Sequence, residues 1–385
     1  MHRQKGIFCK TKRSFFQMKK RESVMKKFFS VFLSLCMLAL GVGCSDGNDN
    51  SSSEQKQEIK NVILVIGDGM GQNHLLNALT YFDLDIPVFM EDQKGYINTD
   101  SLSGTTDSAA GGTARATGTR VYNGNVALKN GVALEQITTI AKKANMKTGV
   151  ITTDTLDGAT PAAFSAHAID RDLSEVIMDT QARSNVDLLM GRYSESYIEN
   201  LGLFRSKQYT VAQSKTELFE NKTAEKLLGL IPDINSEYRA GYESDFQLKD
   251  MAKFAVEYLE SDNGFFLMIE GAYIDKFSHN NQLMETMSET RSLIDTVDFL
   301  YEYAADGQTA IFITADHETG GLQKAPIKDN MSSSLFKSTG HMPTPVPLFV
   351  KNYDFDIQNF GYDKEDTPKN TVVFEACKAI IESKN

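Results

Sequence analysis

Six short runs of almost purely apolar residues constrain this chain more than anything else in it. They cover residues 61–66, 147–152, 186–190, 265–269, 309–314 and 346–350. A strand with one wet face alternates apolar and polar residues. These runs do not, so both faces must be covered, as in a buried parallel sheet. Helical patterns fall between them, at 134–144, 248–260, 285–303 and 371–383. The alternation predicts an α/β fold with a mainly parallel central β-sheet flanked by helices on both faces. No internal repeat is visible, and Pro is scarce after residue 60, so residues 60–385 read as one domain. The stretch from about 195 to 248 is polar and weakly periodic, and reads as an insertion near a ligand site.

Charge divides the chain. Its 385 residues carry a formal net charge of −11, yet residues 1–43 hold ten Lys or Arg and a single acid, Glu22. The remainder has 30 basic against 50 acidic side chains. No nucleic-acid binding is expected of a body that acidic, because phosphate backbones need clustered Lys and Arg.

The basic front end reads as an export signal. Met25-Lys26-Lys27 opens it, and residues 28–43 follow without a charge. That run is shorter than the roughly 20 residues a membrane span needs and suits a signal-peptide core. Gly41 and Gly43 precede Cys44, which resembles a bacterial lipoprotein cleavage site with Cys44 lipidated. The plainer alternative is an ordinary buried Cys after a simple signal. Residues 1–24 fit neither part of a signal, so Met25 is the expected start. Residues 44–59 then form a polar tether. The expectation is an exported, membrane-anchored lipoprotein, periplasmic or on the cell surface. Of Cys9, Cys36, Cys44 and Cys377, only Cys377 would remain in the folded part, which excludes a disulfide framework.

In parallel sheets, ligands bind beyond the carboxyl ends of the strands. The residues at those ends are Gly67-Asp68-Gly69-Met70-Gly71, Thr153-Asp154, Glu270-Gly271 and Ala315-Asp316-His317. Acids and a histidine at several strand ends are the layout of a metal site. Ser108, after Thr106-Asp107 and before small residues, suits a nucleophile at a helix N-terminus, or equally a helix cap. Thr160 offers a hard oxygen suited to magnesium, and Arg171 a two-pronged phosphate clamp; a loop cap and a surface charge are the plain readings. Asp275 and His279, four apart, share one face of a helical turn and make a zinc half-site. His341 precedes the last apolar run. Counting His167, between Thr160 and Arg171, four of the six histidines fall in these clusters.

Together the clusters resemble the alkaline phosphatase family. Gly-Asp-Gly-Met-Gly, Asp-Ser-Ala-Ala, Ala-Thr-Pro-Ala, Glu-Gly…Asp-Lys…His, Thr-Ala-Asp-His and Thr-Gly-His occur in family order between residues 61 and 350. The resemblance implies phosphate monoester hydrolysis through a phosphoserine on Ser108, with two Zn2+ and one Mg2+ as cofactors. Asp275, His279 and His341 would hold one zinc, and Asp68, Asp316 and His317 the other. Asp68, Thr160 and Glu270 would hold magnesium. Arg171 would bind substrate phosphate, and Lys276 would reach it through water. The family commonly dimerises, which leaves a homodimer open. The chain departs from the family at Gly158, where an Asp or His commonly stands near the magnesium. Gly111 and Gly112 replace bulkier residues and would loosen the start of the Ser108 helix. His74 and His167 match no metal role and read as structural.

Two other functions compete. A phosphodiesterase or nucleotide pyrophosphatase of the same superfamily would share the two-zinc site but lack the magnesium trio. A catalytically dead surface lipoprotein would lack Ser108 or a zinc ligand.

Overall fold

Nine strands build the central sheet in this computed structural model, which describes residues 58–232, 234, 238, 246–359 and 369–384. These lie within one unit, Gln57–Asn385. The expected export signal, Cys44 and all but the last two residues of the tether fall outside the described residues. Among the described residues no helix is long and apolar enough to cross a membrane, and Cys377 is a free, buried thiol.

The strands are β1 (Asn61–Gly67), β2 (Gln93–Ile97), β3 (Lys147–Thr155), β4 (Leu188–Arg192), β5 (Tyr209–Ala212), β6 (Lys226–Ile231), β7 (Phe265–Gly271), β8 (Thr309–Thr314) and β9 (Val346–Lys351). Their order across the sheet is β2-β9-β8-β1-β7-β3-β4-β6-β5. Every residue of β1, β7 and β8 is buried. That is why these runs carry no polar alternation.

One expectation needs correcting. β9 is not parallel: it pairs antiparallel with both β8 and β2. The chain leaves β8 at its carboxyl end and stays there through His317 and His341. The next strand therefore starts at that end and must run back. An apolar run buried on both faces looks the same in either direction, so the sequence carried no sign of this.

A second correction concerns 195–248, read as an insertion near the site. Its described part instead forms β5 and β6, the edge of the sheet beyond β4, with short helices at Glu195–Glu199, Leu201–Ser206 and Lys215–Glu220. The helices and β5 are too short to show a period, whereas β6 is buried from Leu227 to Ile231 and is an apolar run like the other six. β2, at the other edge, is mostly half-exposed and was likewise not evident.

Two helical layers cover the sheet. Helices α1 (Gln72–Phe82), α4 (Leu248–Leu259) and α6 (Leu283–Tyr303) pack with one another on one face. Helices α2 (Ser108–Thr117), α3 (Ala159–Ser165) and α7 (Val372–Glu382), with Ile137–Lys143, pack on the other. The short helix α5 (Tyr273–His279) follows β7 directly. Alternate residues of one strand serve the two layers. Phe266 of β7 stacks on Phe164 of α3 with ring centroids 6.4 Å apart. Its neighbour Leu267 lies with Leu259 of α4 over Gly149.

Gly111 and Gly112 tighten α2 rather than loosen it. A Cβ on Gly112 would sit 3.1 Å from the Cβ of Ala163, and one on Gly111 would sit 3.1 Å from that of Asp316. The missing side chains let α2 approach both α3 and the loop after β8. Gly112→Val should therefore overpack this contact and cost about 1–3 kcal/mol. Urea unfolding would measure it, and unchanged stability would mean that α2 and α3 are not in firm contact.

Candidate active site

The four central strands β8, β1, β7 and β3 are sheet neighbours, and each delivers polar groups to one end. Glu270, near the end of β7, is in register with Ile66 of β1 and Thr152 of β3. Asp68 follows β1, and Asp316-His317 follows β8. The turn holding Asp68 depends on Gly69, which has φ +72°. Its amide donates to Asp316 Oδ1 at 3.1 Å, and a Cβ there would lie 2.9 Å from the Cα of Asp275. A side chain would be strained and would push the turn off α5.

Ser108 is the first residue of α2. Asp107 caps that helix, accepting from the Ala110 amide at 2.9 Å. Its other oxygen accepts from the Gly124 amide at 3.0 Å and pairs with Arg171 Nη1 at 3.5 Å. The guanidinium is thus tethered to the residue beside Ser108. Ser108 opens the helix and is buried at 4% exposure, and because Asp107 supplies the cap, the Ser108 hydroxyl is not spent on capping.

Asp275, His279 and His341 form one compact group, with ligand atoms within 4.8 Å of one another. His279 Nε2 lies 3.3 Å from Asp275 Oδ2, as the shared face of α5 requires. His341 Nε2 lies 3.0 Å from His279 Nε2. His279 Nδ1 meets the Thr339 carbonyl, and His341 Nδ1 meets the Thr106 carbonyl at 2.8 Å. A carbonyl only accepts, so both Nδ1 atoms carry the proton in the neutral rings. Both Nε2 lone pairs then point at each other beside a carboxylate, an arrangement a cation would satisfy.

Asp68, Asp275 and His317 form a second compact group. His317 Nε2 lies 3.6 Å from Asp68 Oδ1, 3.2 Å from Asp316 Oδ2 and 3.2 Å from Ser108 Oγ. Its tautomer follows from its partners. Asp275 Oδ1 accepts from the Thr319 hydroxyl, so Thr319 must in turn accept from His317 Nδ1, 3.2 Å away. The His317 Nε2 lone pair therefore faces two carboxylates and the serine. Asp68 Oδ1 and Asp316 Oδ2 are buried with no hydrogen-bond partner. Buried carboxylate oxygens are normally hydrogen-bonded, paired or bound to metal. The donor set thus fits a divalent cation touching Ser108.

Thr160, near the start of α3, has a buried hydroxyl without a formed hydrogen bond, though it lies close enough to Glu270 to favour that carboxyl's charged form. The Glu270 carboxylate accepts from the Thr152 hydroxyl. Glu270 is also close enough to Asp68 to raise its carboxyl, and oxygens alone are the donor set of a hard cation.

Electrostatics agrees with the crowding. Burial, and then Asp316, Asp275 and Glu270, raise the Asp68 carboxyl well above its ordinary value. Burial and then Asp154 push Glu270 to about 8. Burial lowers His317. Burial also acts to raise Asp275, but hydrogen bonding to His279 and the charge of His317 outweigh it and leave it low. His279 rises to about 8 through its bond to Asp275.

The Lys276 ammonium is held by Asp154. His74 sits beneath the site, accepting from the Gly71 amide at 3.1 Å. Burial lowers it to about 4, so it stays neutral. His167 meets the Leu134 carbonyl at 2.9 Å.

Sequence reasoning missed three contributors. Thr319 ties His317 to Asp275, and its only signal was its place two residues after His317. Asp154 had a signal, since it lies at the end of a strand, but was given no role. Arg115 is fully buried, donates to the Gly111 and Ala315 carbonyls, and binds α2 to the loop carrying Asp316. Burial lowers it only to about 10, so it remains a cation behind the acids.

A family model described as Alkaline phosphatase matches residues 59–201 and 191–375. Alkaline phosphatase 4 of Bacillus subtilis (strain 168) is 32% identical over 71% of this chain, which spans 64% of that relative's length. The alkaline phosphatase of Escherichia coli (strain K12) is 26% identical, covering 81% of this chain and 79% of its own. Among solved structures, the alkaline phosphatase from the Antarctic bacterium TAB5 superposes with a TM-score of 0.71 at 28% identity, over 85% of this chain and 99% of that one.

Two outcomes follow from the geometry. Thr319→Val removes the link that orients His317 and should weaken divalent-metal binding ~10–100-fold, as measured by competition with a chromogenic chelator. Metal-stripped protein should lose thermal stability as pH rises from about 5 to 8. The folded state keeps a proton on Glu270 up to about 8 that the unfolded chain releases near its ordinary value of roughly 4.3, so folding is favoured at the acid end. Metal should abolish the trend by binding the deprotonated form. Melting curves with and without chelator test it, and a flat profile in the stripped protein would contradict the crowding.

Proposed function

The chain belongs to the alkaline phosphatase family, and from that premise we propose that it hydrolyses phosphate monoesters through a phosphoserine on Ser108, at a site holding two zinc ions and one magnesium. The observation that carries the reading is the meeting of the Ser108 hydroxyl, the His317 lone pair and two unpartnered carboxylate oxygens in one buried spot. Asp275, His279 and His341 would hold one zinc, and Asp68, Asp316 and His317 the other. Asp68, Thr160 and Glu270 would hold the magnesium. A mutant of the TAB5 relative carries magnesium in its M3 site, which lends support to a magnesium cofactor here. When bound, such metals polarise phosphoryl oxygens and lower the pKa of a coordinated hydroxyl or water.

The chain's own groups do the rest. Ser108 Oγ attacks phosphorus, the phosphorus–ester oxygen bond breaks, and the alcohol leaves. Water then attacks the phosphoserine, releasing inorganic phosphate and restoring Ser108. Asp107 holds Arg171 beside the serine, which supports a role for the guanidinium in taking two phosphate oxygens. The N-terminus of α2 adds backbone N–H groups that favour the anion. Export and lipidation at Cys44 remain part of the proposal, supported by residues 25–44 of the sequence.

The test is paired hydrolysis of a phosphate monoester and a phosphodiester by the purified protein, with zinc and magnesium and then with chelator. Chelator-sensitive monoesterase activity far above the diesterase rate is expected; dominance of the diesterase would overturn the reading. Ser108→Ala should lower kcat by ~10³-fold or more while metal content stays unchanged. Arg171→Ala should raise KM more than it lowers kcat if the guanidinium acts mainly in binding phosphate.

A further inference from the structure

Gly158 leaves the magnesium pocket without a side chain at a position that opens α3, two residues before Thr160. The space in front of its Cα is nonetheless filled. A Cβ on Gly158 would lie 2.9 Å from Asp154 Oδ2 and 3.0 Å from the Thr155 carbonyl oxygen. The carboxylate of Asp154, near the end of β3, therefore occupies the volume that a residue at 158 would use.

Asp154 is fixed there from two sides. Its amide donates to Thr152 Oγ1 at 2.9 Å, and the same hydroxyl donates to Glu270. One hydroxyl thus sets the spacing between Asp154 and a magnesium ligand. On the other side, Asp154 Oδ1 accepts from Lys276, the neighbour of Asp275. Oδ2 has no hydrogen-bond partner among the described residues. The Asp154 side chain is 17% exposed, so it sits at the pocket wall rather than in open solvent. Magnesium usually keeps several waters, whose protons need acceptors.

Resting on the magnesium reading above, we propose that Asp154 is a positioning residue of this site. It takes the part that position 158 leaves open: Oδ2 accepts hydrogen bonds from the waters of the magnesium, while Oδ1 anchors Lys276. The two positions exclude each other, because a carboxylate at 158 would collide with the one from 154. Glycine at 158 is then the consequence of Asp154, and not a defect of the site.

The mutual exclusion gives the test. Zinc-loaded protein is titrated with Mg2+ by calorimetry, with melting temperature and zinc content measured alongside. Glu270→Gln serves as the control for the magnesium site itself. Asp154→Ala, and Asp154→Asn as the closer isostere, should weaken Mg2+ binding ~10–100-fold with zinc content unchanged. Gly158→Asp alone should also weaken it, by crowding two carboxylates. Combined with Asp154→Ala, Gly158→Asp should restore most of the lost affinity, a reversal that a merely structural role would not give. Mg2+ affinity in both Asp154 variants equal to that of the unmodified protein, with binding lost in Glu270→Gln, would overturn the role of Asp154 and leave the magnesium site standing. A double variant no better than Asp154→Ala would overturn the exchange between the two positions. Failure of the unmodified protein to bind Mg2+, or binding undiminished in Glu270→Gln, would overturn the magnesium reading instead.

Discussion

Crowding of buried negative charge at the carboxyl ends of three neighbouring strands is the constraint on which the rest of this structure depends. Asp68, Glu270, Asp275 and Asp316 are each no more than 7% exposed. Like charges this close raise one another's pKa, and burial adds to the effect. A protein arranges its acids in this way only where a cation compensates. The surroundings follow from that need. His317, His279 and His341 each commit Nδ1 to a neighbouring oxygen, so each, in its neutral form, presents a lone pair to the acids. Arg115 brings a buried positive charge behind them, with Nη1 and Nη2 donating to backbone carbonyls rather than to their free oxygens.

The fold supplies what such a cage requires, which is position without flexibility. The acids and histidines of the site come from the ends of β1, β7 and β8, from α5, and from the loop leading into β9. No single element could bring them together. The loop after β8 carries both His317 and His341 and keeps the chain at the site end of the sheet. The reversal of β9 is thus a consequence of the site as well as of topology. Gly69, Gly111 and Gly112 act in the same sense. Each removes a side chain where two backbones must nearly touch, and so draws Asp68, Asp316 and Ser108 toward one point.

How much of this the sequence disclosed depended on where the information lay. Central strands were legible because burial on both faces writes an unbroken apolar run, as in β1, β7 and β8. The edges were not. β2 has one buried residue and β5 two, so no apolar run marks them; β6, buried from Leu227 to Ile231, does carry such a run and was passed over within a polar stretch. The direction of β9 was invisible for the same reason that its existence was obvious. Within the site, Asp68, Asp316, His317, Asp275 and His279 were readable because acids and histidines just beyond apolar runs have few other reasons to be there. The groups that orient them were not. Backbone carbonyls of Thr106 and Thr339 leave no trace in residue identity, and Thr319 looks like any threonine. Gly158 was readable as a gap, but the group that fills it comes from four residues earlier on a different element.

That last point bears on how a site should be read when one expected side chain is missing. A metal's waters respond to where an oxygen is, not to which residue carries it. The end of β3 and the start of α3 converge on one volume, so a carboxylate from either can fill it, and only one can do so at a time. Position-by-position comparison registers a loss at 158 and an unremarkable acid at 154. Geometry joins the two, because the Cβ that glycine lacks would point into the carboxylate that Asp154 provides. The same carboxylate holds Lys276. Arg171, tethered by Asp107, is a second cation held by a carboxylate, this one beside Ser108.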